Sequence, residues 1–334
     1  MTAQMLKASI VERQECSDGL LSEAVAGLSQ KQKSLSCKFL YDEKGCRLFE
    51  QICELEEYYP TRTEAAILRD NIAEISLLMG RCCRLVEFGS GASTKTRLLL
   101  KRMNYLAGYV PIDIAQTQLD ESCDSLAMEF PTLKIQPICA DYTARFELPL
   151  VQGSVEKTMI FFPGSTIGNF EPHDAVDFLA RLATLCGHGG SLLIGVDLKK
   201  SPAVLEPAYN DRRGITAAFN LNLLARLNRE LNADFDLSAF LHRAIYDEAR
   251  GCIEMRLIST CRQAVVVGEH EFFFSAGEYI VTEHSYKYSA PQFWKMAQLS
   301  GFDVVKTWID SQRLFSVHLL RASGAARRNR ASDL

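Results

Sequence analysis

The stretch Leu85-Val86-Glu87-Phe88-Gly89-Ser90-Gly91-Ala92-Ser93-Thr94-Lys95-Thr96-Arg97 constrains this chain more than any other. An apolar run ends in an acid, passes through a glycine-rich turn and enters a run with helical character. Open α/β sheets use such a junction to present backbone N–H groups and a helix start to a ligand at the carboxyl end of the first strand. The following residues repeat the alternation. Strands are expected at Arg84–Phe88, Leu106–Ile112, Lys134–Cys139, Thr158–Phe162 and Ser191–Asp197, and helices at Thr94–Arg102, Gln116–Glu129 and His173–Cys186. Strands alternating with helices predict a parallel sheet with right-handed crossovers. Upstream, residues 1–35 are polar and weakly patterned. A helix is expected around Gly45–Leu55, broken by Pro60, and an amphipathic helix over Thr63–Met79.

The pattern changes after Asp197. Gly214–Leu231 reads as a long helix, and Leu237–Tyr288 as successive strands with turns near Gly251, Gly268 and Gly277. Pro291 opens a helix that ends at Gly301. Asp303–Ile309 and Leu314–Leu320 then read as an antiparallel hairpin closing a sheet edge. The expected organisation is a sheet domain, 60–197 with 287–321, interrupted by a substrate lobe, 10–59 with 198–286. Ligand sites favour the clefts between such parts. The tail 322–334 is small, basic and expected to be disordered.

Composition excludes several classes. A net charge of −4 leaves no basic footprint for nucleic acid. Met1–Cys16 lacks the apolar core of a signal peptide, and no segment approaches the roughly 18 apolar residues of a membrane span. A cytoplasmic protein, a monomer without a membrane partner, is expected. The 11 cysteines contain no C-x-x-C pair and the 6 histidines no H-E-x-x-H spacing, so buried thiols and no metal are expected.

The chemistry is carried by acids at strand ends. Asp113 ends the second strand, where a carboxylate accepts hydrogen bonds from ribose hydroxyls. Asp141-Tyr142 follows the third, suited to an adenine amino group and its ring face. Two adenosine cofactors compete. The dinucleotide fingerprint needs a third glycine, and that position is Thr94, followed by Lys95. S-adenosylmethionine needs no pyrophosphate cradle, and Glu87 offers an acid near its amino-acid moiety. Methyl transfer is therefore preferred to hydride transfer. The fourth strand ends in Phe161-Phe162-Pro163-Gly164-Ser165-Thr166-Ile167-Gly168-Asn169, and the Asn169 amide suits an amine or a carboxylate. Tyr58-Tyr59-Pro60-Thr61-Arg62-Thr63-Glu64 reads either as an aromatic plug or as a lid over substrate.

Assembled, these segments resemble the histidine N-alpha-methyltransferase family of ergothioneine biosynthesis (the EgtD family). The resemblance runs from about Lys38 to Leu320. It includes Lys38–Asp42, Tyr58–Glu64, Glu87–Gly91, Gly164–Asn169, Ala208–Asp211, Phe219–Asn222, Ile253–Met255 and Thr282–Lys287. It implies a class I, Rossmann-like S-adenosylmethionine-dependent α/β sheet with an inserted α+β substrate lobe, converting L-histidine to its trimethyl betaine, hercynine. By this resemblance Tyr58, Asn169 and Tyr41 are the catalytic candidates. Tyr209 and Asn169 hold the substrate carboxylate and amine, Tyr58 lies by the amine, and Tyr41 and Phe49 complete that wall. Glu283 and Ser285 read the imidazole, with Met255 packed on it. Gly89, Lys95, Asp113, Asp141 and Tyr142 serve the cofactor. His284, between the two ring readers, is expected on the opposite face of the strand. Tryptophan or another aromatic amino acid is the alternative substrate, and a non-catalytic adenosine-ligand sensor the alternative class.

Overall fold

The computed structural model describes residues 19–80, 83–91, 93–103, 106–144, 148 and 157–323. Most of the tail expected to be disordered, and the start of the expected substrate lobe, lie outside these residues. Strands in chain order are β1 (Cys83–Phe88), β2 (Gly108–Asp113), β3 (Ile138–Cys139), β4 (Lys157–Phe162), β5 (Ser191–Asp197), β6 (Phe240–Asp247), β7 (Cys252–Ser259), β8 (Gln263–Val267), β9 (His270–Phe274), β10 (Tyr279–Tyr286), β11 (Phe302–Ile309) and β12 (Phe315–Ala322). Helices are α1 (residues 19–28), α2 (Glu43–Cys53), α3 (Tyr59–Met79), α4 (Thr94–Leu100), α5 (Gln116–Glu129), α6 (Pro172–Cys186), α7 (Pro202–Tyr209), α8 (Ile215–Leu231) and α9 (Ala290–Leu299).

The chain divides into two compact units. One holds the described residues up to Ile52, then Glu206–Tyr246 and Ile253–His284; the other holds Cys53–Leu205, Asp247–Cys252 and Ser285 onward. The second, the sheet unit, carries seven strands in the order β11-β12-β5-β4-β1-β2-β3. Strands β1 to β5 pair in parallel, and β12 runs antiparallel to both β5 and β11. The chain leaves β1 toward β2 and returns on the other side through β4. The carboxyl ends of β1 and β4 are thus the switch point at which open sheets bind ligands. This is the open, Rossmann-like parallel sheet that the strand–helix alternation predicts, and the expected edge hairpin is present.

Both faces of the sheet are covered because its strands alternate two apolar sets. Val86, Phe88, Ile160, Phe162 and Ile194 pack under α6 and α9, through residues such as Phe178, Leu182 and Phe293. Leu85, Met159, Phe161 and Leu193 pack on the other side with Ile67, Leu68 and Ile75 of α3 and Leu99 of α4. The other unit has a three-stranded sheet, β10-β7-β6, and an antiparallel β8-β9 hairpin. The turns expected at Gly251, Gly268 and Gly277 all have positive φ.

Several expectations are corrected. Pro60 does not precede α3 as a breaker; it sits in its first turn, where its missing N–H costs nothing. β3 is only two residues long, because Pro137 cannot donate to the ladder beyond the single bridge of Ile135 to Tyr109. The weakly patterned N-terminal region contains α1, which buries Leu20, Ala24 and Leu28 at four-residue spacing. α7 was also unforeseen, since Pro202 and Pro207 argue against it; Pro202 takes the first position and Pro207 the last turn.

Candidate active site

In the sheet unit the glycine turn is built as its sequence demands. Gly89 and Gly91 have φ of 69° and 45°, a region that side chains disfavour. Asp113, at the end of β2, clamps the turn: its Oδ2 accepts from the Gly91 N–H at 2.9 Å and its Oδ1 from the Ala115 N–H at 3.0 Å. Each oxygen keeps a second lone pair. Asp141 accepts from the Thr143 N–H at 2.8 Å, which fixes the loop after β3. The neighbouring Tyr142 ring packs edge-on against Phe88 and Phe162, each 5.9 Å away. A Cβ at Gly89 would stand 3.9 Å from that ring.

Glu87 is corrected. It is not presented at the surface of the turn: it is 1% exposed, and its carboxylate accepts from Thr96 Oγ1 at 2.5 Å and from the Tyr109 hydroxyl. It ties α4 to β2 beneath the turn. Burial pushes its carboxyl up to about 7, against the pull of Thr96, Tyr109 and Lys95.

Lys95 is also tied down. Its ammonium pairs with Glu64, which is fully buried and also accepts from the Gly164 N–H at 2.9 Å. One carboxylate thereby links α3, α4 and the end of β4. Gly195 makes room for it, since a Cβ there would lie 2.0 Å from Glu64 Oε1.

After β4 the chain turns through Gly164 (φ 81°) and Ser165 (φ 60°) into the short 3-10 helix Thr166–Asn169. Gly168 allows the closest approach, because a Cβ would meet the Tyr286 carbonyl oxygen at 2.6 Å. Asn169 is thus set, half-buried, at the end of a tightly packed loop. Tyr58 is buried immediately before α3, where its N–H donates to the Leu55 carbonyl at 3.2 Å.

A charge cluster that sequence reasoning missed lies in the same unit. Asp197, at the end of β5, is fully buried. It pairs with Lys200 at 2.6 Å and Lys287 at 2.9 Å, and the Tyr59 hydroxyl donates to both its oxygens at 2.8 Å. The two cations hold its carboxyl below the usual range despite burial, whereas burial pushes Lys200 down to about 8. Lys287 Nζ also donates to Ser285 Oγ at 2.8 Å. Asp197 lies in a strand's apolar run and the lysines follow in loops, so spacing alone gave no signal for their meeting.

In the other unit, Tyr41 and Phe49 meet edge-on at 5.6 Å, and Phe219 of α8 joins them, 5.5 Å from Tyr41. Phe219 lies within the family-like segment Phe219–Asn222, and nothing in its spacing marks it as part of this aromatic group. Tyr209 is buried at the end of α7, and its carbonyl accepts from His242 Nε2 at 2.8 Å. His242 Nδ1 accepts from the Asn220 amide at 2.9 Å. Burial lowers the His242 pKa, consistent with this neutral ring. On β10, His284 Nε2 meets Glu254 Oε2 of β7 at 3.1 Å. That contact and the Arg256 guanidinium hold the Glu254 carboxyl down at about 2, against burial. The pair fixes one face of the two strands. Alternation puts Met255 and Glu283 on the opposite face, and gives Ser285 the same parity as Glu283. Met255 is buried and Glu283 half-buried.

The turn fits an adenosine cofactor that lacks a pyrophosphate. Thr94 leaves no third glycine, Asp113 and Tyr142 flank the switch point, and Ser90 Oγ is buried without a hydrogen-bond partner among the described residues. Among the described residues no group of three or more His, Cys, Asp or Glu is arranged to hold a metal ion, and no helix is long and apolar enough to cross a membrane.

Comparison with known proteins agrees with this geometry. A family profile described as histidine-specific methyltransferase, SAM-dependent, matches residues 20–322. The chain is 40% identical over 306 residues to a histidine N-alpha-methyltransferase of Mycobacterium tuberculosis, covering 90% of this chain and 94% of that protein. It is 39% identical to the protein of that name from Mycolicibacterium smegmatis, covering 93% of this chain and 98% of the relative. It is 29% identical to ergothioneine biosynthesis protein 1 of Neurospora crassa, covering 87% of this chain but 33% of the relative. The chain belongs to the family of S-adenosylmethionine-dependent, histidine-specific methyltransferases.

Proposed function

We propose that this enzyme transfers three methyl groups to the α-amine of L-histidine, giving hercynine for ergothioneine biosynthesis. The observation that carries the reading is near full-length similarity to relatives named histidine N-alpha-methyltransferase. The family profile over residues 20–322 supports it. In this reading the sheet domain, 60–197 with 287–321, binds the cofactor, and 10–59 with 198–286 serves the substrate. Gly89, Lys95, Asp113, Asp141 and Tyr142 hold the cofactor. When bound, S-adenosylmethionine supplies the methyl group on a sulfonium.

Tyr209 and Asn169 hold the substrate carboxylate and amine, and Tyr58 orients the amine. The amine attacks as the neutral species, so the task of these residues is alignment. The rings of Tyr41, Phe49 and Tyr58 favour the methylammonium as it forms. A trimethylated nitrogen has no lone pair, which ends the sequence. Glu283 accepts an imidazole N–H, Ser285 contacts the other ring nitrogen and Met255 packs on the ring. An amino acid without a ring N–H leaves the Glu283 carboxylate unpaired, and hydrogen-bonding sites reject such substrates strongly. A cytoplasmic monomer without nucleic-acid or membrane partners completes the reading, and light scattering tests the oligomeric state.

The test of substrate identity is mass spectrometry of purified enzyme with S-adenosylmethionine and all common amino acids together. Histidine gaining three methyl groups is expected. Methylation of tryptophan in its place, or of nothing, would overturn the reading.

A further inference from the structure

Lys287 is 1% exposed, a rare place for an ammonium. Its buried partners include Asp197 Oδ2 at 2.9 Å and Ser285 Oγ at 2.8 Å. Asp197 is itself fixed by Tyr59 and Lys200, so the Lys287 head group has little freedom. The main chain is pinned as well, because the Lys287 N–H donates to the Gly251 carbonyl at 2.9 Å.

This arrangement sets the polarity of Ser285. A serine hydroxyl has one hydrogen and two lone pairs and normally rotates to suit its neighbour. An ammonium carries three donors and no acceptor, so Ser285 can only accept from Lys287 and must direct its own hydrogen elsewhere. The nearby positive charge further weakens the remaining lone pair as an acceptor. We propose that Lys287, anchored by Asp197, is a positioning residue that makes Ser285 a hydrogen-bond donor, so that β10 selects a neutral ring bearing one N–H and one bare nitrogen. The proposal rests on the reading of Glu283 and Ser285 as the imidazole contacts and specifies their division of labour. Glu283 takes the ring N–H, and Ser285 donates to the unprotonated nitrogen. A ring with an N–H and no bare nitrogen satisfies only half of that pattern, as does a protonated imidazole.

The test uses full-length wild type, S285A, K287M and the double variant, with S-adenosylhomocysteine formation as readout. Substrates are L-histidine and the two pyrrolylalanines, which keep one ring N–H and have no bare ring nitrogen. Wild type is expected to prefer histidine by at least about tenfold in kcat/KM. S285A should lose that preference. K287M should lower kcat/KM for histidine about tenfold, chiefly through KM, and should cost nothing further in the S285A background. Additive penalties, or wild-type kcat/KM in K287M, would overturn the proposal. If K287M does not fold, wild type and S285A decide: equal use of histidine and pyrrolylalanine by wild type refutes the donor role. Failure of the underlying reading looks different, because S285A would then leave histidine turnover unchanged or histidine would not be a substrate.

Discussion

Glu87 sits in the signature turn, yet its chemistry is internal, and the consequence is measurable. Burial raises its carboxyl from an ordinary 4.5 to about 7. Between these values the unfolded chain has ionised Glu87 while the fold keeps the proton. The folded state then binds more protons, so this group's contribution is fully present below about pH 4.5 and is lost as pH rises through about 7. A shift of that size corresponds to about 3 kcal/mol, most of which falls between pH 5 and pH 8. Glu87→Gln keeps the shape and does not titrate. Its stability relative to wild type is therefore expected to improve by about 2–3 kcal/mol from pH 5 to pH 8, whatever its offset at pH 5. Taking the difference between proteins at each pH removes the titration of every other group. Both tryptophans, Trp294 and Trp308, belong to the sheet unit, so their fluorescence in urea follows the part of the molecule that contains Glu87. A Glu87→Gln difference that stays constant from pH 5 to pH 8 would show that Glu87 titrates normally, and the argument from burial would fail.

Gly195→Ala should destabilise the sheet unit by about 3 kcal/mol or more, because its Cβ displaces the Glu64 carboxylate from Lys95 and Gly164; an unchanged melting temperature would contradict the packing. Glu283→Ala should reduce kcat/KM for histidine at least a hundredfold while narrowing its advantage over phenylalanine, which has no ring N–H, read by competition assays with mass detection. Full histidine turnover in that variant would remove Glu283 from the ring contact. His318 is buried between Thr307 and Ser316, and burial pushes its pKa down to about 3. A depressed imidazole contributes stability above about pH 6.5 that is lost as pH falls toward 3. His318→Gln should remove about 3 kcal/mol of the wild type's decline between pH 7 and pH 4, and parallel acid unfolding curves would refute this.

The sheet was legible because period and punctuation agree. β1, β4 and β5 are apolar runs with a glycine turn or loop after them, and α6 has a clean apolar face closed by Gly187. Legibility ended where a short element depends on tertiary contact. α1 shows its i, i+4 spacing only once Leu20, Ala24 and Leu28 are known to be covered. β3 is cut short by Pro137, which the apolar pattern of Lys134–Cys139 conceals. For the site, the residue types at strand ends were readable, but their partners were not. Nothing in the spacing says that Lys95 meets Glu64 across 31 positions, or that Lys287 meets Asp197 across 90. Glu87 shows the hazard of position alone. It stands where a ligand-facing acid is expected, and its carboxylate lies in the core.

The Asp197 cluster extends that lesson into a prediction about balance. One buried carboxylate faces two ammonium groups, Lys200 and Lys287, so removing either lysine leaves one ion pair intact. Removing the acid deprives two buried cations of the carboxylate they share, a far less favourable arrangement. Burial pushes Lys200 down to about 8, so at neutral pH its charge is held at a cost in desolvation. Lys200→Met should therefore cost little, within about 1–2 kcal/mol, because lost attraction is offset by relief of desolvation. Asp197→Asn should cost about 3–5 kcal/mol, even though it keeps an oxygen to accept from Tyr59. Urea unfolding at pH 7, followed by tryptophan fluorescence, orders the two variants. If Lys200→Met proves as damaging as Asp197→Asn, then each lysine contributes a pairing that its neighbour cannot replace, and the cluster is a balanced network in which the second cation is required.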